Sequence, residues 1–233
     1  NLAASTLEAI KRAHAAMKGP VGLPEVRLPD GTEAGTPGGV LRTGLDTYAN
    51  VRPVRLLPGV EAPMRAKPGG IDYVIERENT EGLYLSRGKG VGTDQAMADT
   101  LLVTRKGTER VARHAFELAR RRSGAPQDGV RRVTCVDKSN VLASYTFFRR
   151  VFDEVAESYP DIQREHIYAD AAAQALVLNP SHYDVLVMEN FLGDILSDLG
   201  GATVGGIGLC PSGNIGDTHA CFEPIHGSAP DIA

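Results

Sequence analysis

The stretch "NFLGDILSD", Asn190 to Asp198, sets two carboxylates, Asp194 and Asp198, four residues apart. On a helix of 3.6 residues per turn they share one face, while Leu192, Ile195, Leu196 and Leu199 gather on the opposite one. Like charges at this spacing repel mildly, by about 0.2–0.5 kcal/mol, unless something positive lies between them. Taken alone, the spacing reads as a solvated polar face. A hard divalent cation is the chemical alternative, because all-oxygen ligation selects Mg²⁺ or Mn²⁺ over zinc. Asp170 ends the strand-like "HIYAD", where an α/β fold opens its ligand crevice, and could add a third carboxylate. By itself Asp170 reads equally as the N-cap of a helix over "AAAQALVL".

Other residues could share such a site. Lys138 and Asn140 lie in "DKSNVL", directly after a strand-like run. Facing the carboxylates, Lys138 is a candidate general base and Asn140 an amide partner; otherwise they are a surface lysine and a turn residue. Arg42, Arg52 and Arg77 sit in "VLRTGLD", "NVRPVR" and "VIERENTEGLY". Each alone suggests a surface ion pair. Together beside a metal site they would clamp a multi-anion substrate through bidentate forks. Tyr84, after Gly82, offers a phenol that could donate a proton. "FEPIHGSAPDI" gathers Glu223, His226, Gly227, Ser228, Ala229, Asp231 and Ile232 in a Pro-bounded loop. Small residues there admit a ligand to the backbone, and an acidic group can accept from ribose hydroxyls. No G-x-G-x-x-G follows a strand and opens a helix, so this is not a Rossmann fingerprint.

The elements that must hold these residues alternate. "LAASTLEAIKRAHAAMKG" has the pattern of an amphipathic helix, and "GPVGLPEVRLPDGTEAGTPGG" that of loops. "VLRTGLDTYANV" is helix-like, "IDYVIERE" strand-like, and Thr104 to Arg122 places Val111, Ala115, Phe116, Leu118 and Ala119 at helical spacing. "RRVTCVDK", "EHIYAD" and "YDVLVME" read as strands, each followed by a helix candidate, one of them stopped by Pro160. "GGATVGGIGLCPSGNIG" is a glycine-rich break. Strand–helix alternation argues for an α/β architecture.

The totals agree with this. The 233 residues suffice for one or two domains, with 42% hydrophobic and 23% charged side chains. A net charge of −4 and no basic stripe beyond Arg120–Arg122 argue against a nucleic-acid partner. No apolar run reaches the ~20 residues that cross a bilayer. Three cysteines without a C-x-x-C predict neither disulfides nor a thiolate zinc site and suit a reducing cytoplasm.

In order along the chain, "LDTYANVRPVR", "RENTEGLY", "DKSNVL", "NFLGDILSD", "PSGNIGD" and "FEPIHGSAPDIA" resemble the metal-dependent β-decarboxylating dehydrogenases, a family of isopropylmalate, isocitrate, homoisocitrate and tartrate dehydrogenases. The resemblance runs from about Leu7 to the last residue. Six collinear motifs are highly specific where one would be weak. The resemblance implies a two-domain α/β fold with a discontinuous large domain. Residues 1–47 and 205–233 belong to that large domain, and residues 48–204 form a smaller dimerisation domain. The family's first strand and helix with a "GDGIGPE"-type turn, and everything after the cofactor loop, lie outside this sequence, which implies a piece of a longer protein.

The same resemblance implies roles. Asp170, Asp194 and Asp198 match the Mg²⁺/Mn²⁺ ligands, with Asp170 and Lys138 reaching the site from the second subunit of a homodimer. Arg42, Arg52 and Arg77 match the grips on malate-like carboxylates, Tyr84 and Lys138 the acid–base pair, and Asn140 a contact to substrate or nicotinamide. Glu223 and the loop His226, Gly227, Ser228, Ala229, Asp231 and Ile232 match the cofactor site. A carboxylate at 231 would repel a 2′-phosphate, which favours NAD over NADP. The expected reaction is oxidative decarboxylation of a 2-hydroxy acid. In "GTPGGVLR" the Ser-x-Asn that grips isocitrate's third carboxylate is replaced by Thr36-Pro37-Gly38, and Gly38–Gly39 stand where an apolar pair cradles the isopropylmalate branch. Isopropylmalate stands first, ahead of tartrate or malate, homoisocitrate and isocitrate. Some relatives are non-catalytic regulatory subunits, but these lose the aspartates, lysine or tyrosine that are all present here.

Overall fold

The computed structural model describes residues 2–22, 25–29, 31–32, 34, 37–66 and 69–229. Among the described residues ten strands fall in chain order: β1 (Ala16–Met17), β2 (Ala49–Arg55), β3 (Asp72–Glu78), β4 (Val91–Thr93), β5 (Ala96–Ala98), β6 (Arg132–Asp137), β7 (Gln163–Tyr168), β8 (Val185–Met188), β9 (Pro211–Ile215) and β10 (Ala220–Pro224). Six α-helices accompany them: α1 (Ala4–Lys11), α2 (Pro37–Gly44), α3 (Arg105–Arg121), α4 (Ala143–Ala156), α5 (Ala169–Leu178) and α6 (Asn190–Thr203). Eight strands form one mixed sheet in the order β1-β10-β9-β2-β3-β8-β6-β7, and β4 with β5 forms a separate hairpin.

The half β3-β8-β6-β7 is parallel throughout. Parallel strands need both faces covered. Val133, Cys135, Val185 and Val187 point to the α3–α4 side, against Phe116, Phe148 and Phe152. Tyr73, Ile75, Val136, Leu186 and Met188 point to the other side, against Ala172, Leu176 and Leu196 of α5 and α6. Because these strands run the same way, Arg77, Lys138 and the starts of α5 and α6 all emerge at one edge of the sheet.

The other half comes from the ends of the sequence. β9 pairs antiparallel with both β10 and β2 (Ala49↔Ile215, Asn50↔Asn214, Val51↔Gly213). Residues 1–47, 48–204 and 205–233 thus contribute strands to a single continuous sheet.

Most expected elements form. Thr104 caps α3, its side chain accepting from the Gly107 N–H at 3.0 Å. Three expectations change. The first helix stops at Lys11, and Ala16–Met17 instead pairs in parallel with Cys221–Phe222 of β10. The helix in "VLRTGLDTYANV" closes at Gly44; Asp46 takes φ 48°, and the chain enters β2 at Ala49. The glycine-rich stretch contains the end of α6 and the strand β9. In each case pairing with a distant strand overrides local pattern.

Asp170 sits in the first turn of α5, with Tyr168 at the N-cap position, so it is not the cap itself. On α6, Leu196 is buried, but Ile195 is 54% exposed. The face against the sheet is built of small residues, Gly193, Ser197, Gly200 and Gly201.

Candidate active site

Gly193 brings α6 against β3. A Cβ at 193 would lie 2.6 Å from Cβ and Cγ of Arg77. That closeness turns Asp194 toward the sheet edge. Arg77 is 2% exposed; it donates from Nε to Asn190 Oδ1 at 2.8 Å and from Nη1 to Asp194 Oδ1. Arg52 of β2 donates from Nη1 to Asp194 Oδ1 at 3.2 Å and to Ser197 Oγ at 2.5 Å. The same Nη1 lies 3.9 Å from Asp198 Oδ1. Tyr84, on a 3₁₀ turn (Leu83–Ser86), donates from its hydroxyl to Asp194 Oδ2 at 2.7 Å. A guanidinium therefore offsets the like-charge pair in this chain.

The electrostatics follow from these contacts. Burial pushes Asp194 up, but Arg77, Arg52 and the Tyr84 hydroxyl outweigh it and hold the carboxyl below its usual range. Desolvation raises Asp198 and Asp194 adds repulsion, outweighing the opposing pull of Arg52 and Arg77. Desolvation and the neighbouring Arg52 bring Arg77 down to about 9. Burial and the hydrogen bond to Asp194 push Tyr84 up to about 12, so it is a protonated donor near neutrality.

A second charge cluster forms the opposite wall. Arg42 of α2 donates to Glu223 Oε1 at 3.1 Å, and Lys18 Nζ lies 2.8 Å from Glu223 Oε2. Asn214 donates to Glu223 at 2.9 Å and accepts from Asn50 and Asn79. Burial alone would raise Glu223, yet Lys18 and Arg42 hold it down at about 2. Arg42, Arg52, Arg77, Tyr84, Asp194, Glu223, His226 and Gly227 all line one cleft of about 480 Å³. Lys18, Val21 and Leu85 line it too and were not foreseen. Lys18 falls in no motif, and the pairing of β1 with β10 that brings it to Glu223 has no local signal in the sequence.

Lys138, Asn140 and Asp170 do not line the cleft in this chain. Lys138 and Asp170 form an ion pair at 2.6 Å, and that hydrogen bond lowers the Asp170 carboxyl. Asn140 is exposed in the turn that follows β6. Buried Asp137 fixes this turn by accepting from the Ser139 N–H at 2.8 Å and from the Arg149 fork at 2.7 and 3.0 Å. Ser228 donates from Oγ to the Gly22 carbonyl, laying the cofactor-type loop along residues 18–22. Asp231, Ile232 and Thr36 lie outside the described residues.

The donor set suits a hard cation in kind but not in number. Asp194 and Asp198 offer carboxylate oxygens one turn apart, and such a cation takes six or more oxygens. Among the described residues of one chain, no group of three or more His, Cys, Asp or Glu side chains could hold a metal ion.

The α/β core presents arginines, a tyrosine and helix-borne carboxylates at the carboxyl edge of its parallel strands, where such folds open their ligand crevice. The sequence matches the isocitrate/isopropylmalate dehydrogenase family over residues 1–233, and the chain belongs to that family. It is 49% identical over 195 residues to a 3-isopropylmalate/3-methylmalate dehydrogenase of Methanocaldococcus jannaschii, covering 83% of this chain and 56% of that protein. With a 3-isopropylmalate dehydrogenase of Corynebacterium glutamicum it shares 45% over 218 residues, covering 87% and 62%. An NADP isocitrate dehydrogenase of Thermus thermophilus shares 43% over 233 residues, covering 98% and 43%. Among solved structures, isocitrate dehydrogenase of Methylococcus capsulatus superposes with a TM-score of 0.85 at 38% identity, covering all of this chain and 65% of that one. The chain spans between 43% and 65% of the length of these relatives.

Proposed function

We propose that the protein carrying this chain is an NAD-dependent oxidative decarboxylase of a malate-type 2-hydroxy acid, with 3-isopropylmalate the best single substrate. The observation that carries this is the convergence of Arg42, Arg52 and Arg77 with Tyr84 and Asp194 in one cleft. Three guanidinium groups match a dicarboxylate. Val21, Pro37 and Leu85 are apolar members of the cleft wall, and a Cβ at Gly38 would meet nothing within 4 Å. That apolar, open wall favours an alkyl substituent over the third carboxylate of isocitrate.

The residues divide the work. Arg42, Arg52 and Arg77 hold the carboxylates and exclude water from them. Lys138, from a second copy, takes the proton of the C2 hydroxyl as hydride leaves C2 for the nicotinamide. Carbon dioxide then departs from the neighbouring carbon, and the Tyr84 hydroxyl protonates that carbon. Asp194 and Asp198, with Asp170 of the second copy, would hold Mg²⁺ or Mn²⁺. When bound, that ion supplies positive charge opposite the electron pair released by decarboxylation. Glu223, with the loop from His226 to Ile232 and Asn140, would receive the cofactor, and Asp231 favours NAD.

A homodimer follows from the same division. It is supported by the exposed apolar residues Val91 and Met97 of the β4–β5 hairpin and Leu178 and Ile195 of α5 and α6. Three free, buried cysteines suit a reducing cytoplasm.

The test is NADH formation by the full-length protein with Mg²⁺ and 3-isopropylmalate, D-malate, tartrate, homoisocitrate or isocitrate, each also with NADP⁺. The highest kcat/KM is expected with NAD⁺ and 3-isopropylmalate. No cofactor reduction with any of the five acids would overturn the proposal in favour of a regulatory subunit.

A further inference from the structure

Glu189, immediately before α6, takes no part in the division of labour above. Its side chain is 1% exposed yet ends in a carboxylate. Oε1 accepts from the Leu83 N–H at 3.1 Å and the Phe191 N–H at 3.0 Å. Oε2 accepts from the Leu192 N–H at 3.3 Å and the Tyr145 hydroxyl at 3.0 Å. All four donors reach a group with about four lone-pair sites, so the carboxylate is saturated.

The donors come from three places, each attached to a proposed site group. Leu83 precedes Tyr84. Phe191 and Leu192 open the helix bearing Asp194 and Asp198. Tyr145 lies in the first turn of α4, directly after the turn that carries Lys138 and Asn140. Gly82 makes the room: at φ +83° it has no side chain, and a Cβ there would fall 2.0 Å from Glu189 Oε1. Asn190 acts alongside, accepting from Arg77 Nε and donating to the Glu81 carbonyl at 2.8 Å. A shorter Ser or Asp would cap α6 as well. Carrying a buried charge out to Leu83 and Tyr145 as well is unfavourable for stability alone, and has meaning where relative position matters.

We propose that Glu189 is a positioning residue that sets the Tyr84 hydroxyl against Asp194 by binding the Tyr84 turn, the start of α6 and the start of α4 to one carboxylate. This rests on the proposed oxidative decarboxylation for its consequence in turnover. The test uses the full-length protein with Glu189→Gln and, as a smaller change, Tyr145→Phe. Glutamine keeps the bulk but turns an N–H₂ toward donors. Expected is a kcat lowered about thirty-fold in Glu189→Gln and about three-fold in Tyr145→Phe, with KM for the hydroxy acid within about two-fold, because the arginine grips are untouched. The Leu83 and Leu192 amides should exchange hydrogen at least about ten-fold faster in Glu189→Gln. An unchanged kcat with only a lower Tm, or a KM rising with the fall in kcat, would overturn the proposal. If the unaltered protein turns over none of the acids, the functional proposal fails by itself. Amide exchange then decides: joint loss of protection at Leu83 and Leu192 supports the positioning role, and unchanged protection refutes it.

Discussion

At the scale of single residues, the site is a set of charges held in place by their opposites. Asp194 meets two arginines and a tyrosine hydroxyl, while Asp198 has one distant guanidinium. The less engaged carboxylate is the freer to take a further cation. Glu223 is the most strongly perturbed acid in the cleft, and its effect on stability has a definite sign. Its folded pKa, about 2, lies below the ordinary 4.5, because Lys18 and Arg42 overcome the opposing effect of burial. Its contribution is therefore fully present above pH 4.5 and is lost as pH falls toward 2. With a side chain only 8% exposed, that contribution is on the order of 3 kcal/mol. Urea unfolding of the unaltered protein and of Glu223→Gln at pH 6 and pH 3 should show the difference between them shrinking in acid. A difference independent of pH would mean that the ion pairs do not stabilise the fold.

At the scale of elements, the small-residue face of α6 decides where the carboxylates point. Gly193→Ala gains helix propensity of up to about 1 kcal/mol but places a methyl group against Arg77, an overpacking cost of about 1–3 kcal/mol. Gly200→Ala meets the Tyr73 hydroxyl and Val54 instead, away from the cleft. Both variants should lower the unfolding midpoint, but only Gly193→Ala should raise KM for the hydroxy acid, by about ten-fold. Equal KM values in the two would show that the close approach does not set Arg77. Strongly periodic elements could be read from sequence: α3 from Val111, Ala115 and Phe116 behind a Thr104 cap, and β6 from its β-branched run. The strand β9 could not, since "PSGNI" has neither alternation nor β-branched residues before its last position, and it exists by pairing with β2 and β10. The motifs named in advance several residues that meet in one cleft, Arg42, Arg52, Arg77, Tyr84 and Asp194 among them, because type and spacing occur together there. Lys18 and Glu189 were not legible, since each acts through groups 205 and 106 positions away or nearer in space than in sequence.

At the scale of the whole molecule, the central claim concerns two copies. In one chain Arg42, Arg52, Arg77, Tyr84, Asp194 and Asp198 assemble, whereas Lys138 and Asp170 pair with each other elsewhere along the same sheet edge. The β4–β5 hairpin projects residues such as Val91 and Met97, and α5 ends in exposed Leu178. Such apolar exposure is what the proposed second copy, bringing Asp170 and Lys138 to the cleft, would cover. The most direct measurement is Mn²⁺ binding by the full-length protein in the presence of 3-isopropylmalate, with oligomeric state recorded on the same samples. One ion per subunit is predicted, and both Asp194→Asn and Asp170→Asn should weaken it by about a hundred-fold or more while remaining dimeric. Binding by dimeric Asp170→Asn as tight as that of the unaltered protein would contradict a metal site shared between two copies.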